Sequence, residues 1–176
     1  MYATCTNGHR HWGMAGAAGG LIVARGDAGP ELLLTLRSAE VHHGNSWSVP
    51  GGAIDSGDPD AYAAACREIF EELGLDVSDL PVLGWHEFEC GGWTYSTVLL
   101  AAPAPILVHG YGWETQEARW FGVDGVETLA ADEALHHGFA ASWPALRDLI
   151  TTANDEGLTR HFLRHASPIR AATRRK

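Results

Sequence analysis

The sequence predicts a layered domain of the α/β or α+β class, in which helices cover a β-sheet. Two observations support this prediction. Short apolar segments occur in pairs, as expected for neighbouring strands, and one amphipathic helix lies between the first pair and the second. At 176 residues, the chain has the length of a single domain.

The strands are predicted from runs of apolar and β-branched residues that glycine and proline interrupt. The five predicted strands cover residues 20–25, 31–37, 82–90, 93–101 and 117–123. The first two are joined by the five residues 26–30, which contain two glycines and a proline, so we expect a hairpin with a five-residue loop.

One clear helix is predicted from Pro59 to Leu73. Asp58 is placed to cap its first turn, Pro59 suits the first helical position, and Gly74 suits the left-handed residue after its end. A second helix is expected over residues 141–152, because apolar residues recur there at helical spacing.

Composition and charge narrow the function classes. Hydrophobic residues make up 45% of the chain, and its net charge is −10. The charge is uneven: residues 1–150 carry −14 and residues 151–176 carry +4. Because residues 1–150 are strongly acidic, they repel nucleic acid, and we expect no nucleic-acid partner. A ligand that carries phosphate would need a cation beside it to offset this negative charge.

Membrane insertion and secretion are not expected. The longest apolar stretch, residues 98–108, is shorter than the ~20 residues of a membrane span and contains two prolines. Three widely spaced cysteines do not make a disulfide framework and suit a reducing compartment. The sequence therefore predicts a cytoplasmic protein.

The first predicted helix has two distinct faces. Its buried stripe is expected to be Ala65, Ile69 and Leu73, with three further side chains beside it, Tyr62, Cys66 and Phe70.

The opposite, solvent-facing side carries Glu68, Glu71 and Glu72 at the spacing i, i+3 and i+4. Like charges this close destabilise a helix, and the helix dipole disfavours anions near its C-terminal end. A solvated acidic face is one interpretation. A site for a hard cation such as Mg²⁺ is the other, because Mg²⁺ binds carboxylates together with substrate phosphates.

Two neighbouring features favour the cation site. Arg67 directly precedes the carboxylates and is able to fix a carboxylate by paired hydrogen bonds. Gly51 and Gly52 lie upstream in a loop whose backbone can approach a ligand closely, because neither residue has a Cβ.

This segment resembles the Nudix box, G-x5-E-x7-R-E-U-x-E-E-x-G-U, in which U is a bulky apolar residue. Residues 67–75 match the second half without a gap. The first half differs twice, because Asp58 replaces the glutamate and one extra residue precedes Arg67. For this reason Asp58 is interpreted as a helix cap. The resemblance extends over about residues 10–150 and is to actinobacterial MutT-type Nudix proteins.

The resemblance implies a fold and a reaction. The fold is an α/β/α sandwich with a mixed central sheet. The reaction is Mg²⁺- or Mn²⁺-dependent cleavage of the pyrophosphate linkage of a nucleoside di- or triphosphate derivative by water, with an oxidised nucleoside triphosphate as one candidate substrate. ADP-ribose or a dinucleotide is an alternative substrate, and a non-catalytic nucleotide-binding module is an alternative function. Relatives often form homodimers, so a homodimer is possible here.

The resemblance also implies site residues. The metal ligands carry over to Glu68, Glu71 and Glu72, with the carbonyl of Gly51 as a further candidate. In MutT-type members, another glutamate from a late loop helps to bind metal or to activate water, six residues before a tryptophan. Glu114, six residues before Trp120, matches this position better than Glu117, which is expected to begin a strand.

The domain organisation follows from this match. We expect an N-terminal segment over residues 1–13, a Nudix hydrolase domain over residues 14–153 and a basic C-terminal tail over residues 154–176.

Aromatic residues and possible metal ligands outside the box are ambiguous. Trp93 and Tyr95 alternate along a predicted strand, and either ring is able to pack inward or to line a nucleobase pocket.

Cys5, His9 and His11 are of the types that bind zinc, but no fourth ligand is evident near them in the sequence. A packed or solvated N-terminus is therefore expected.

Overall fold

The structure, a computed structural model, describes residues 1–156 of the chain, with side chains up to residue 153. It contains nine strands and three helices within these residues. The strands are β1 (Tyr2–Thr4), β2 (Arg10–Trp12), β3 (Ala17–Gly26), β4 (Gly29–Arg37), β5 (Trp47–Ser48), β6 (Gly51–Ala53), β7 (Val82–Cys90), β8 (Trp93–Ala102) and β9 (Thr115–Gly122). The helices are α1 (Ala61–Leu73), α2 (Val123–Ala131) and α3 (His137–Glu156).

Seven strands form one mixed sheet. Its main order is β5-β4-β3-β8-β7, with β6 paired to β3 and β9 paired to β4. The pair β3–β8 is parallel, and the other pairs of this sheet are antiparallel. β1 and β2 form a separate antiparallel hairpin.

The sheet is buried on both faces, which explains why its central strands are almost continuously apolar. Side chains alternate along β3: Ile22 packs in a core with α1, whereas Leu21 and Val23 pack in a second core with α2 and α3. Trp143 of α3 is buried in the second core. The predicted α/β/α sandwich with a mixed central sheet is therefore confirmed.

The start of α1 differs from the prediction. The helix begins at Ala61, and its N-cap is Asp60, whose carboxylate accepts a hydrogen bond of 2.8 Å from the backbone N–H of Ala63. Asp58 is not the cap, and Pro59 lies outside the helix. At the other end, Gly74 adopts the predicted left-handed conformation, with φ of 67°.

Other predicted elements also differ from the structure in their bounds or their burial. β3 and β4 pair up to Gly26 and Gly29, so only two residues connect them instead of the five predicted. Phe70 of α1 is 45% exposed and does not belong to the buried side. Helix α2 was missed because Gly122 precedes it and no side chain caps it, so the usual start signal is lacking.

Helix α3 begins four residues before the prediction and contains Pro144, a residue that normally argues against a helix interior. It ends at Glu156, so it runs past the predicted domain end at residue 153, and residues 157–176 of the predicted tail lie outside the described residues. Among residues 1–156, no helix is both long enough and apolar enough to cross a membrane.

Candidate active site

The carboxylates of α1 line a cleft of about 300 Å³ between that helix, β6 and the loop before β9. This loop reaches the helix through a hydrogen bond of 2.7 Å from the N–H of Gly112 to the carbonyl of Glu72. The eleven residues that line the cleft are Trp12, Gly52, Ala53, Asp55, Arg67, Glu68, Glu71, Glu72, Gly112, Trp113 and Glu114.

Glu68 packs directly against the backbone of Gly52. A Cβ on Gly52 would lie only 2.5 Å from Glu68 Oε1 and 2.7 Å from its Cδ, so a larger residue would displace this carboxylate. Burial raises the pKa of Glu68, and the neighbouring Arg67 opposes this rise. Gly52 was predicted to allow the close approach of a ligand. In the structure, its missing Cβ leaves space for the carboxylate of Glu68.

Glu72 is partly buried, which corrects the expectation that it faces solvent. Its Oε1 accepts a hydrogen bond of 2.8 Å from the N–H of Gly51, and its Oε2 accepts one of 2.7 Å from the hydroxyl of Thr115. Burial raises its pKa to about 7, although both hydrogen bonds oppose the rise. Gly51 thus contacts Glu72 through its amide, and Gly52 and Ala53 line the cleft from this strand.

Arg67 connects the helix to the segment after β6. Its guanidinium donates to both oxygens of Asp58 at 3.1 and 2.9 Å, to the carbonyl of Ala53 at 2.9 Å, to Glu68 at 2.8 Å and to Glu71 at 3.2 Å. The bidentate bond to Arg67 lowers the pKa of Asp58, whose side chain is only 8% exposed. Asp58 is therefore a partner of Arg67 and not a helix cap.

Glu114 and Glu117 lie in different surroundings. Glu114 is exposed at the cleft, where its charge contributes to the raised pKa of Glu68. Glu117 lies in β9, and its carboxylate pairs with Arg119 of the same strand. It is not among the residues that line the cleft.

Trp93 and Tyr95 do not line this cleft. The indole N–H of Trp93 donates to the carbonyl of Gly13 at 2.9 Å. The hydroxyl of Tyr95 lies 2.6 Å from the position that a Cβ on Gly51 would take, and burial and the nearby Glu72 and Glu68 raise its pKa.

Two other tryptophans line the cleft and were missed from the sequence. Trp12 is 52% exposed and Trp113 is 71% exposed. Large exposed aromatic side chains next to a cleft are typical of ligand contacts. A sequence signal was available for Trp113, because it directly precedes Glu114 in the loop already singled out.

The cleft is strongly acidic. Five carboxylates line it, and Arg67 is the one cationic side chain among its lining residues. Oxygen donors with this excess of negative charge are suited to a hard divalent cation such as Mg²⁺ or Mn²⁺. The residues present therefore fit such a metal ion.

A mixed sheet between helices, with an acidic cleft where a Gly-Gly strand meets a carboxylate-bearing helix, defines a Nudix-type α/β/α protein. The NUDIX domain model matches residues 14–143, which is well over half of the chain. The chain belongs to the Nudix family, as its sequence predicted.

Similar proteins agree with this assignment. A Mycobacterium tuberculosis protein named "Putative 8-oxo-dGTP diphosphatase 3" is 40% identical over 148 residues, which cover 80% of this chain and 65% of that protein. The chain thus spans just under two thirds of that relative.

Solved structures support the fold. A Nudix hydrolase from M. smegmatis is 37% identical, with a TM-score of 0.74, over 86% of this chain and 95% of that chain. An Ap4A hydrolase from C. elegans has a TM-score of 0.60 at 21% identity, over 79% and 99% of the two chains, and supports the fold alone.

The pair Arg67–Asp58 leads to a stability prediction. A carboxyl whose pKa is lowered on folding stabilises the protein above its unfolded pKa, and this contribution is lost as the pH falls through the folded pKa. We expect Asp58→Asn to lower the free energy of unfolding by about 2 kcal/mol at pH 7, the scale of charged hydrogen bonds. Denaturant unfolding should show the difference from wild type shrinking below the usual Asp pKa of 3.8.

Asp55→Asn is the matched control. The Asp55 side chain is 71% exposed and lies 4.0 Å from the Arg67 guanidinium, so its loss should have little effect. Equal effects of the two variants at pH 7 would contradict the structural role given to Asp58.

Proposed function

We propose that the protein is a divalent-metal-dependent pyrophosphohydrolase that cleaves the pyrophosphate linkage of a nucleoside di- or triphosphate derivative. The single observation that carries this proposal is the cleft with five carboxylates and one guanidinium beside Gly52. The family generally uses divalent cations. The 40% identity to a relative named for an oxidised nucleoside triphosphate supports an oxidised nucleotide as the first substrate to test.

Glu68, Glu71 and Glu72 would hold Mg²⁺ or Mn²⁺, with Glu114 and the carbonyl of Gly51 as further ligand candidates. When bound, the cation neutralises phosphate oxygens and makes water a better nucleophile. The protein contributes rigid positioning: Arg67 holds Glu68 and Glu71, and the N–H of Gly51 and the hydroxyl of Thr115 hold Glu72.

The base that accepts the proton of the attacking water is proposed to be Glu114. It is exposed on a loop over the fixed carboxylates of α1, and no hydrogen bond holds its carboxylate among the described residues. A free carboxylate within hydrogen-bond reach of a water can take its proton. The carboxylates that Arg67, Gly51 and Thr115 already hold are less free to do so.

The nucleobase is proposed to stack on Trp113 and Trp12. The cleft of about 300 Å³ lies at the small end of ligand pockets, so the phosphates fill it and the base lies at its rim. Trp12 and Trp113 both line the cleft and are largely exposed, so their rings are available to a base that extends out of it. Trp93 and Tyr95 stay candidates for substrate contact only if the base extends past the cleft.

The proposed reaction is tested with a panel of nucleotides. The panel contains 8-oxo-dGTP, dGTP, ADP-ribose and a diadenosine polyphosphate, each incubated with Mg²⁺ or with a chelator, and the products are separated by chromatography. We expect metal-dependent release of pyrophosphate from a nucleoside triphosphate. If binding occurs without turnover of any nucleotide, the protein is a non-catalytic module and the proposal fails.

Glu114→Gln is expected to lower kcat at least ~100-fold, the scale of general base catalysis, while KM changes little. The physical reason is that the amide cannot accept the proton of water but keeps the size of the side chain. Steady-state kinetics with the best substrate of the panel measures both parameters.

Glu117→Gln is the internal control for this variant and should stay within a few-fold of wild type, because Glu117 pairs with Arg119 outside the cleft. The reverse order of the two effects would assign the role to Glu117 instead.

Trp113→Ala is expected to raise KM about tenfold and to leave kcat nearly unchanged, because stacking on an aromatic ring contributes about 1–3 kcal/mol per base. Trp85→Ala is the matched control, since Trp85 is 67% exposed on β7 and does not line the cleft. Equal KM values for the two variants would show that the base binds elsewhere.

A further inference from the structure

A second cluster of possible metal ligands lies outside the acidic cleft. One donor atom each from Cys5, His9, His11 and Cys90 lies within 4.8 Å of the others. The two sulfur atoms are 3.5 Å apart, and Nδ1 of His9 is 3.2 Å from the sulfur of Cys90. The fold therefore brings a fourth ligand, Cys90, to the three residues near the N-terminus, where the sequence shows no fourth ligand close by.

Two turns build this cluster. The first is the tight turn between β1 and β2, where the N–H of Cys5 donates to the carbonyl of His9 and the N–H of Gly8 donates to the carbonyl of Cys5, both at 2.9 Å. Gly8 has a φ of 81°, which a residue with a Cβ rarely adopts. This turn places Cys5 and His9 on the same side.

The second turn follows Cys90 between β7 and β8. The N–H of Thr6 donates to the carbonyl of Gly91 at 2.9 Å, which joins the two turns. A Cβ on Gly91 would lie 2.9 Å from the backbone nitrogens of Thr6 and Asn7, so only glycine permits this approach. The backbone of both turns thus holds Cys90 beside Cys5.

We propose that Cys5, His9, His11 and Cys90 bind a zinc ion in a closed structural site. Two thiolates and two imidazoles are a common tetrahedral zinc ligand set. With Zn–S near 2.3 Å and Zn–N near 2.0 Å, ligand atoms around one ion are about 3.3–3.8 Å apart. Two sulfur atoms on one tetrahedral ion are about 3.8 Å apart, and a sulfur and a nitrogen are about 3.5 Å apart. The S–S distance of 3.5 Å and the N–S distance of 3.2 Å are each shorter by about 0.3 Å, so the ion requires only a small outward shift of these side chains.

The charge balance also favours zinc. Binding displaces the protons of the two thiols to solvent, and the two thiolates then cancel the charge of Zn²⁺.

The imidazole of His11 is held in place by stacking on a neighbouring aromatic ring. It stacks on Trp93 with the ring centroids 4.2 Å apart and the planes 9° from parallel. Its buried Nε2 has no hydrogen-bond partner among the described residues, so this imidazole has an unused nitrogen. A buried nitrogen without a hydrogen-bond partner destabilises the folded protein unless a ligand binds to it.

The site would fasten the β1–β2 hairpin to the sheet. Without it, the hairpin is joined to the β7–β8 turn by the backbone bond from Thr6 to Gly91, by a bond of 3.8 Å from the side-chain amide of Asn7 to the sulfur of Cys90, and by the stacking of His11 on Trp93. The indole of Trp93 also donates to the carbonyl of Gly13, directly after β2. The next residue, Trp12, lines the acidic cleft. Four protein ligands leave no open coordination position, so the ion has a structural and not a catalytic role.

The proposal is tested on the purified full chain. It is washed with a weak chelator to remove metal from the carboxylate cleft, and its zinc content is measured by mass spectrometry. Replacement by Co²⁺ then provides a spectroscopic signature, because thiolate-to-cobalt charge transfer arises from cysteine ligands and not from carboxylates. We expect one zinc ion per chain and a charge-transfer band in the wild type.

Matched variants locate the ion. Cys90→Ser should lower zinc affinity at least ~100-fold and abolish the cobalt–thiolate band, whereas Cys66→Ser, a cysteine on α1, should keep both. His9→Ala should also lose zinc, and since His9 is exposed, its loss should not impair folding. His109→Ala, another exposed histidine, is its control.

Three results would overturn the proposal. The first is a wild-type protein without zinc and without a cobalt–thiolate band. The second is equal zinc content in wild type, Cys90→Ser and His9→Ala. The third is a disulfide between Cys5 and Cys90 in protein purified under reducing conditions. None of these readouts depends on nucleotide hydrolysis, so the site is tested independently of the proposed reaction.

Discussion

The active-site region depends on one guanidinium that balances several carboxylates. Glu68, Glu71 and Asp58 all accept hydrogen bonds from Arg67, which also donates to the carbonyl of Ala53. Without this cation, the carboxylates of α1 would repel one another at the negative end of the helix dipole. Arg67 also connects α1 to β6 through the carbonyl of Ala53. One side chain therefore both neutralises the carboxylates and positions the strand that contains Gly51 and Gly52. A net negative charge is still left in the cleft, and this excess is what a divalent cation would neutralise.

The sheet and helix make this arrangement rigid. α1 packs on the sheet through Ala64, Ala65 and Ile69, whose side chains are fully buried. A Cβ on Gly20 of β3 would clash with Ile69, so the helix lies close against the strand. From that fixed helix, Glu72 reaches the backbone of β6 and the hydroxyl that begins β9. One carboxylate therefore joins three elements, of which β9 lies 43 residues further along the chain, and substitutions there change structure as well as chemistry.

Local patterns predicted much of the site, and long-range contacts explain what was missed. The face with three glutamates follows from the helical period, and Gly74 ends α1 as its sequence indicates. The sequence placed the cap at Asp58, but in the fold Arg67 binds Asp58 and the helix is capped by Asp60, a contact that sequence spacing does not show. Cys90 lies 85 residues from Cys5, so no local spacing could have joined it to the N-terminal histidines. Trp12 reaches the cleft only because the β1–β2 hairpin packs beside it. Phe70 is 45% exposed, although its helical position is next to the buried stripe.

The most direct test of the central claim is Mn²⁺ binding to Gly52→Ala, measured by electron paramagnetic resonance. The added Cβ would meet the flexible end of Glu68 and not backbone, so the fold and the melting temperature should be kept while the carboxylate is displaced. Gly57→Ala is the control, because a Cβ on Gly57 meets nothing within 4 Å. We expect at least about tenfold weaker Mn²⁺ binding for Gly52→Ala and wild-type binding for Gly57→Ala. Unchanged Mn²⁺ affinity in a folded Gly52→Ala protein would show that the carboxylate cleft is not the metal site.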